Sequence, residues 1–298
     1  MQRRRWIQLA TAAAATGCRG RAPQAPTPKR VTYPLWRPEH PSTLLRPAPP
    51  PYPFDNAALD ARLTPARYPG PLGSMRGWLH VPEGAGPHPG LVFLHGNFAA
   101  SASTLDPLGD AFPPGDVAVF VPAWRGENGN PGARELLAGE LDDAVAAVQW
   151  FAAQPGVDAD RIVAFGHSVG GALAALLALL PALPLRATAS VGGIYVPETF
   201  ARWSRTAHNG PLVRFDPFDP DEGRLRTLVG NAADLLRPHH AYVGRSDDAF
   251  HENVQRVAGE AAQAGTPFET HWVDGGHMDS LPPAFESFLG IAKETDFA

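Results

Sequence analysis

Apolar residues in this chain group into two kinds of run that alternate from about residue 75 onward. Unbroken runs rich in branched and aromatic side chains predict buried strands, as at residues 91–95 and 117–122. Residues 135–153 instead carry apolar side chains three and four positions apart, which predicts a helix. Strands that alternate with helices favour an α/β fold with a mostly parallel central sheet and helices on both faces.

The same alternation of predicted strands and helices holds along the rest of this region. Further strands are predicted at residues 75–82, 187–191, 241–244 and 269–273, and further helices at residues 101–112, 251–264 and 281–291. Residues 194–238 lack strand alternation but hold several aromatic residues, so we interpret them as a small inserted helical cap.

Residues 161–177 are the stretch around which the other elements are arranged. A branched apolar run ends at Gly166, and an Ala/Leu-rich run begins at Gly170, with Ser168 between them in the pattern Gly-x-Ser-x-Gly. This pattern predicts a strand, a tight turn and a helix, with the serine hydroxyl at the helix N-terminus. The turn needs glycine on both sides because the serine backbone is strained there. The stretch resembles the nucleophile elbow of the α/β-hydrolases.

A serine hydroxyl needs a base and an acid before it can act as a nucleophile at neutral pH. In the α/β-hydrolase fold these follow the serine in the order acid, then histidine, on loops after late strands. His277 follows the last predicted strand and is the predicted base. Asp247 and Asp248 compete for the role of acid. In relatives the acid usually lies three residues after a strand-ending glycine, which favours Asp247 after Gly244.

The oxyanion hole is expected to use the backbone N–H of Val169, the residue after the nucleophile. By resemblance to His-Gly-x loops, the second donor is the N–H of Asn97, with Phe98 as the alternative. His95 at the start of this loop is interpreted as a structural residue that holds the loop.

Several charged residues near the predicted site have simpler interpretations. Arg125 and Glu127 end a strand near the site, and ionic support of their loop is favoured over substrate contact. Asp142 and Asp143 begin a helical face and are expected to be solvated. His167, inside the elbow, is interpreted as a packing residue of the turn.

Composition narrows the possible functions. The chain has 298 residues, which suits one large α/β domain, and a net charge of −5, which gives no basis for binding nucleic acid. Its one cysteine cannot form an intrachain disulfide or a thiolate metal cluster. His239 and His240, with His251 and Asp247 nearby, do not predict a metal site, because adjacent strand residues point to opposite faces. No cofactor is expected.

The N-terminal part of the chain predicts export. Residues 1–18 begin with three arginines, continue with a short apolar stretch and end at Cys18 after small residues, which resembles a bacterial lipoprotein signal. The arginine run also resembles a twin-arginine signal, and a disordered basic N-terminus is the alternative. Residues 19–57 are rich in proline and predict an extended tether. The hydrolase domain is then expected over residues 58–298. A lipid on Cys18 would tether an exported, periplasmic protein to the membrane.

Taken together, the motifs resemble one group within the α/β-hydrolases, over about residues 70–292. That group contains the catalytic domain of the prolyl oligopeptidases and the dienelactone hydrolases. The residues that carry the resemblance are His95-Gly96-Asn97, residues 125–132, residues 166–171, Gly244 with Asp247, and Gly276-His277. Prolyl oligopeptidases carry a large β-propeller before this domain, whereas a proline-rich segment stands in that place here.

The sequence therefore predicts a serine hydrolase that cleaves carboxylic esters through an acyl-enzyme on Ser168. The expected substrate is a small ester or a short peptide. A peptidase, amidase or acyltransferase with the same triad is the first alternative. A surface binding protein on a catalytically inactive hydrolase scaffold is the second.

Overall fold

The computed structural model describes residues 30–50 and 59–295. The predicted signal at residues 1–18, with Cys18, lies outside the described residues, as do parts of the predicted tether. Thr32 begins a compact unit that runs towards the C-terminus. Among the described residues, none of the helices combines the length and the apolar character needed to cross a membrane.

An eight-stranded mixed sheet forms the centre of the molecule. Its strands are β1 (Thr64–Gly70), β2 (Gly73–His80), β3 (His88–Leu94), β4 (Ala118–Pro122), β5 (Val157–His167), β6 (Ala187–Val191), β7 (His239–Gly244) and β8 (Phe268–Val273). They lie in the order β1-β2-β4-β3-β5-β6-β7-β8. The pairs β1–β2 and β2–β4 are antiparallel, and all other pairs are parallel. The predicted fold class is therefore confirmed.

Helices connect the strands and cover both faces of the sheet. They are α1 (Tyr33–Trp36), α2 (Ala102–Leu105), α3 (Ala138–Ala152), α4 (Val169–Leu177), α5 (Glu198–Trp203), α6 (Pro220–Arg226), α7 (Asp248–Ala264) and α8 (Leu281–Glu294). The segment 194–238, where a helical cap is predicted, holds α5, α6 and two short 3-10 turns.

Alternate side chains of strand β3 are buried in the hydrophobic clusters on the two faces of the sheet. Val92 and Leu94 are buried in the cluster that includes apolar residues of α3, α4 and α7. Leu91 and Phe93 are buried in the opposite cluster, which includes Phe285 of α8. Successive strand residues point to opposite faces, so an unbroken apolar run is buried on both sides.

The structure differs from the expected tether where residues 33–39 form α1 and a 3-10 turn. Tyr33 is fully buried, its backbone N–H donates to Asp234 Oδ2 at 2.8 Å, and its hydroxyl donates to the Leu225 carbonyl at 2.8 Å. Pro34 and Pro38 permit these turns because each stands in a first helical turn, where no helical N–H bond is required. This part of the segment therefore packs on the domain.

Two other elements differ from the expectations. Strand β1 is not predicted, because its prolines and glycine mask the strand pattern of an edge strand. Helix α3 begins three residues later than predicted, because Leu136 and Leu137 have φ values of 55° and 79°. The left-handed backbone at these two residues cannot continue as a right-handed helix.

Candidate active site

Ser168 lies between the end of β5 and the start of α4, at the centre of the sheet. Its φ and ψ angles are 55° and −113°, an unusual conformation for a residue with a side chain. The backbone holds it in place, because its N–H donates to the Val191 carbonyl at 2.9 Å. Its own carbonyl accepts the N–H of Ala172 at 3.0 Å. The side chain is thereby presented at the N-terminus of α4, and the residue remains partly exposed.

The two glycines of the elbow are required by close backbone approaches. A Cβ atom on Gly166 would overlap the carbonyl oxygen of Gly170. A Cβ atom on Gly170 would in turn overlap the carbonyl oxygen of Leu94 at the end of β3. Both overlaps involve backbone atoms, which cannot rotate away as a side chain could. The Gly-x-Ser-x-Gly pattern is therefore dictated by the contact between the turn and its own helix and the neighbouring strand.

Asp247 and His277 form a hydrogen-bonded pair above the ends of β7 and β8. The distance from His277 Nδ1 to Asp247 Oδ2 is 2.8 Å, with Asp247 buried and the His277 side chain 33% exposed. Asp248, the competing acid, has a side chain that is 93% exposed, and it lies 3.8 Å from His251 instead. The structure thus pairs the predicted base with Asp247.

Three further residues position the His277 ring. Phe250 stacks on it, with ring centroids 4.9 Å apart and planes 15° from parallel. Gly192, after β6, leaves room for it, because a Cβ atom there would lie 2.7 Å from His277 Cε1. His167 Nε2 lies 3.0 Å from the His277 carbonyl and donates to it. Burial and the nearby His277 lower the pKa of His167 to about 4, so the His167 ring is neutral at pH 7.

Ser168 and His277 line the same open cavity, which has a volume of about 340 Å³. The remaining described lining residues are Gly96, Asn97, Phe98, Ser103, Thr104, His167, Val169, Trp203, His208, Asn209 and Met278. Trp203, His208 and Asn209 come from the inserted segment, which therefore forms one wall. The described residues that line this cavity include no Asp, Glu, Lys or Arg.

The predicted oxyanion donors border this cavity. Val169 is the first residue of α4, where backbone N–H groups and the helix dipole favour negative charge. Asn97, on the loop after β3, has a φ angle of 65°. Asn97 and Phe98 both line the cavity that Ser168 lines, so both remain candidates for the second donor.

The sequence of this chain matches the profile of a known protein family. The profile of the family described as alpha/beta hydrolase fold matches residues 89–277, which contain the elbow, Asp247 and His277. The chain belongs to the α/β-hydrolase family.

One curated relative is an uncharacterised protein of Mycobacterium tuberculosis, 34% identical over 128 residues. The match covers 41% of this hydrolase and 45% of the relative, so the chain spans less than half of that relative's length.

Solved structures of similar fold include both esterases and peptidases. An esterase of Pyrococcus furiosus aligns with a TM-score of 0.66 at 17% identity, covering 85% of this chain and 98% of that one. A puromycin-hydrolyzing peptidase of M. tuberculosis also has a TM-score of 0.66, at 21% identity, and covers 81% of this chain and 40% of that one. At these identities the likeness establishes the shared fold.

A buried histidine supports the loop after β3, which carries the candidate oxyanion donors. His95 Nδ1 lies 2.9 Å from the Gly96 carbonyl, and His95 Nε2 lies 3.0 Å from Glu127 Oε1. The same carboxylate oxygen accepts the backbone N–H of Trp124 at 2.7 Å. Burial alone would lower the pKa of His95, but the Glu127 carboxylate outweighs burial and the pKa is raised. His95 and Glu127 are fully buried and do not reach the cavity, so we interpret them as structural residues.

The loop after β4 also supports the loop after β3, through contacts of Asn128 and Arg134 that the motif alone did not suggest. The Asn128 side chain donates to the Ala100 carbonyl at 2.8 Å and accepts the Ala100 N–H at 2.9 Å. Arg134 Nη1 donates to the Phe98 carbonyl at 3.1 Å. A paired amide contact of this kind requires the tertiary structure, so the sequence offered no signal for it.

Arg125 takes part in a buried ion-pair network. Its guanidinium donates to Asp143 from Nε at 3.0 Å and from Nη2 at 2.9 Å, and to Glu135 at 2.8 Å. The expectation that Asp143 is solvated was wrong, because this side chain is fully buried by its pairing with Arg125. Asp142 is partly exposed and pairs with Arg37 at 2.8 Å. These contacts of Arg125 are all internal, as expected for a residue that supports the loop.

A second, narrow pocket adjoins the cavity, since Asn97, Phe98 and Val169 line both. Glu140 lies in its wall and is 4% exposed. Its Oε1 accepts the N–H groups of Glu135 at 2.7 Å and Leu136 at 3.2 Å, whereas its Oε2 has no hydrogen-bond partner among the described residues. Burial raises the pKa of Glu140 to about 7.

Proposed function

We propose that this α/β-hydrolase is a serine hydrolase that cleaves carboxylic esters through an acyl-enzyme on Ser168. One observation carries the proposal. Ser168, on a strained strand-to-helix turn, and His277, hydrogen-bonded to Asp247, line a single solvent-accessible cavity. A nucleophile, a base and an acid on three separate loops in this fold form the arrangement that activates a serine hydroxyl.

The reaction begins when Ser168 Oγ attacks the ester carbonyl carbon. His277 accepts the serine proton at Nε2, because its Nδ1 is engaged by Asp247. The tetrahedral intermediate then collapses, the bond to the leaving alkoxide breaks, and His277 returns the proton to that oxygen. An acyl group remains on Ser168. Water attacks the acyl-enzyme by the same route, with His277 as base, and releases the acid.

Asp247 and the oxyanion donors stabilise the charges that form in these steps. The Asp247 carboxylate fixes the His277 tautomer with the proton on Nδ1 and stabilises the imidazolium. The backbone N–H of Val169 and that of Asn97 stabilise the negative carbonyl oxygen of the tetrahedral intermediate. The positive end of α4 adds to this stabilisation. No cofactor takes part in these steps.

The lining of the cavity favours a small neutral ester over a peptide. Because no Asp, Glu, Lys or Arg is among its described lining residues, the cavity offers no ionic partner for a peptide terminus. Trp203, Phe98 and Met278 give it apolar walls that suit an acyl chain or an alcohol group. Solved structures of equal similarity are named as an esterase and as a peptidase, so the choice rests on the lining of the cavity.

The first test combines covalent labelling with substrate comparison. A fluorophosphonate probe should modify the folded protein once, at Ser168, and the Ser168→Ala variant should remain unlabelled. Short p-nitrophenyl esters should be hydrolysed much faster than alanine or proline anilides. Failure of Ser168 to react would support the binding-protein alternative. Anilide turnover comparable to ester turnover would support the peptidase alternative, which the M. tuberculosis peptidase structure illustrates.

We also propose that the chain is exported and tethered through lipid on Cys18. The support is the sequence of residues 1–18, with its basic start, apolar stretch and small residues before the one cysteine of the chain. In a bacterial host, the native protein should partition with the membrane fraction, and the Cys18→Ser variant should be soluble. Equal partitioning of the two proteins would contradict lipidation.

A further inference from the structure

Strands β7 and β8 bring three ligand-type side chains together away from Ser168. His240 of β7 pairs in register with Glu269 of β8, and Tyr242 pairs with His271. Residues two apart on a strand share a face, so His240, Glu269 and His271 lie on one side of the sheet. This is the side covered by α8, because the His240 ring lies 5.7 Å from that of Phe288.

The ligand atoms of these three residues form a nearly equilateral triangle. His240 Nδ1 lies 3.1 Å from His271 Nε2. Glu269 Oε2 lies 3.6 Å from His240 Nδ1 and 3.7 Å from His271 Nε2. A point about 2.0 Å from all three atoms exists within this triangle, and that is the bond length of Zn²⁺ to imidazole nitrogen and carboxylate oxygen.

Hydrogen bonding explains only one side of the triangle. One ring nitrogen can donate to the other at 3.1 Å, provided that the acceptor carries no proton. The carboxylate oxygen, at 3.6 and 3.7 Å, is beyond hydrogen-bond distance from both rings, yet it faces both. A cation among the three atoms would account for all three separations at once.

We propose that His240, Glu269 and His271 bind one divalent transition-metal ion of the Zn²⁺ class. Two imidazoles and one carboxylate are a ligand set that suits Zn²⁺, Co²⁺ and Ni²⁺ and disfavours Mg²⁺ and Ca²⁺. His240 is almost fully buried and fixed, whereas the Glu269 side chain is 64% exposed, so the fourth position opens to water.

The metal would link the edge strand β8 to its neighbour β7. β8 is the last strand of the sheet and pairs only with β7, so its other edge makes no ladder contacts among the described strands. The loops after these two strands carry Asp247 and His277. His240 lies four residues before the end of β7, which places it about 13 Å from that loop end. The site therefore acts on the stability of this part of the sheet and is separate from the proposed ester chemistry.

The proposed ligands come from two neighbouring strands and not from adjacent histidines of one strand. His239 and His240 do point to opposite faces, since His239 contacts Thr188 and Tyr195 at 2.8 and 2.9 Å on the other side. The partners of His240 come from the next strand, and only the β7–β8 register reveals them.

The test is metal binding by the full chain, produced without a polyhistidine tag and stripped with a chelator. Isothermal titration with ZnCl₂ should give one site per chain with micromolar or tighter affinity. At a free Zn²⁺ concentration of about 100 times Kd, the Tm should rise by roughly 5 °C. Co²⁺ should give visible absorption bands of four-coordinate intensity.

Two variants and one matched control assign the site. His271→Gln and Glu269→Gln are partly exposed positions, so these proteins should keep the circular dichroism of the parent. His271→Gln should weaken Zn²⁺ binding at least 100-fold, and Glu269→Gln about tenfold or more. His88→Gln, on β3, should bind like the parent. The proposal is overturned if the parent binds Zn²⁺ only in the millimolar range, or if His271→Gln binds as tightly as the parent.

Discussion

Two histidine–carboxylate pairs stand at strand ends in this hydrolase, and they differ mainly in what surrounds them. His277 lies 2.8 Å from Asp247, and His95 lies 3.0 Å from Glu127. Each ring also stacks on an aromatic ring, His277 on Phe250 and His95 on Trp124. Close pairing with a carboxylate therefore does not by itself distinguish a catalytic histidine from a structural one.

The two histidines differ in their exposure to solvent and in whether the second imidazole nitrogen has a neighbouring oxygen. The His277 side chain is 33% exposed and borders the Ser168 cavity, whereas the His95 side chain is fully buried. Asp247 engages only Nδ1 of His277, which leaves Nε2 for proton transfer. Both nitrogens of His95 face internal oxygens, those of Gly96 and Glu127. This difference supports proton transfer as the proposed role of the first pair and the fixing of a loop as the role of the second.

Breaking the exposed pair should abolish activity with little cost in stability. Asp247→Asn keeps the shape of the side chain but permits the wrong tautomer of His277. We expect kcat for p-nitrophenyl acetate to fall about 10⁴-fold, as at the corresponding acid of other triads. Steady-state kinetics and thermal unfolding of the same preparation measure both effects.

Asp248→Asn is the matched control for that substitution. Its exposed side chain does not contact His277, so kcat should stay within about twofold of the parent value. Equal losses in the two variants would show that the assignment of Asp247 over Asp248 is wrong.

Breaking the buried pair should have the opposite effect. Glu127→Ala leaves the Trp124 N–H without its acceptor and removes the carboxylate beside His95 Nε2, and should lower the free energy of unfolding by about 3–5 kcal/mol. Measured well below the melting temperature, kcat/KM should fall no more than about tenfold. Urea unfolding and ester kinetics separate these outcomes. A 10³-fold loss of activity in a stable protein would instead give Glu127 a catalytic role.

Glu140 is a buried carboxyl without the close histidine partner that Glu127 has. Because its folded pKa of about 7 exceeds the ordinary 4.5, the folded protein binds more protons than the unfolded chain between these pH values. The free energy of unfolding should therefore fall as pH rises through this window, by up to about 3 kcal/mol. Glu140→Gln removes this contribution while keeping an acceptor oxygen. If urea unfolding at pH 5 and pH 8 gives the same difference for variant and parent, Glu140 is not the titrating group.

The smallest effect concerns the aromatic support of the exposed pair. Phe250→Leu removes the ring that stacks on His277 and should lower kcat about two- to tenfold, with KM nearly unchanged. A loss of this size indicates positioning of the base. A change confined to KM would indicate that Phe250 contacts substrate instead.

Local sequence signals predicted the central features of the fold and the placement of the candidate site. The run into Gly166 and out of Gly170 predicted the strand, turn and helix around Ser168, because backbone contacts allow only glycine there. Spacing from Gly244 favoured Asp247, and the structure has the Asp247–His277 hydrogen bond. Their roles in catalysis remain predictions for experiment.

Features that depend on distant contacts were not predictable in this way. Tyr33 is buried by partners about 200 residues away, so its proline-rich surroundings indicated a tether. Asp143, in α3, is buried because Arg125 reaches it from the loop after β4. The His240–Glu269–His271 cluster depends on strand register, which a single sequence does not specify.

The central claim is that Ser168 forms an acyl-enzyme during ester hydrolysis. The most direct measurement is kcat/KM of the parent and of Ser168→Ala for p-nitrophenyl acetate, with both proteins shown to be folded by circular dichroism. We expect a fall of at least about 10³-fold in the variant, because water activated by the remaining groups is a poor substitute for the serine. Activity of the variant within tenfold of the parent would contradict it.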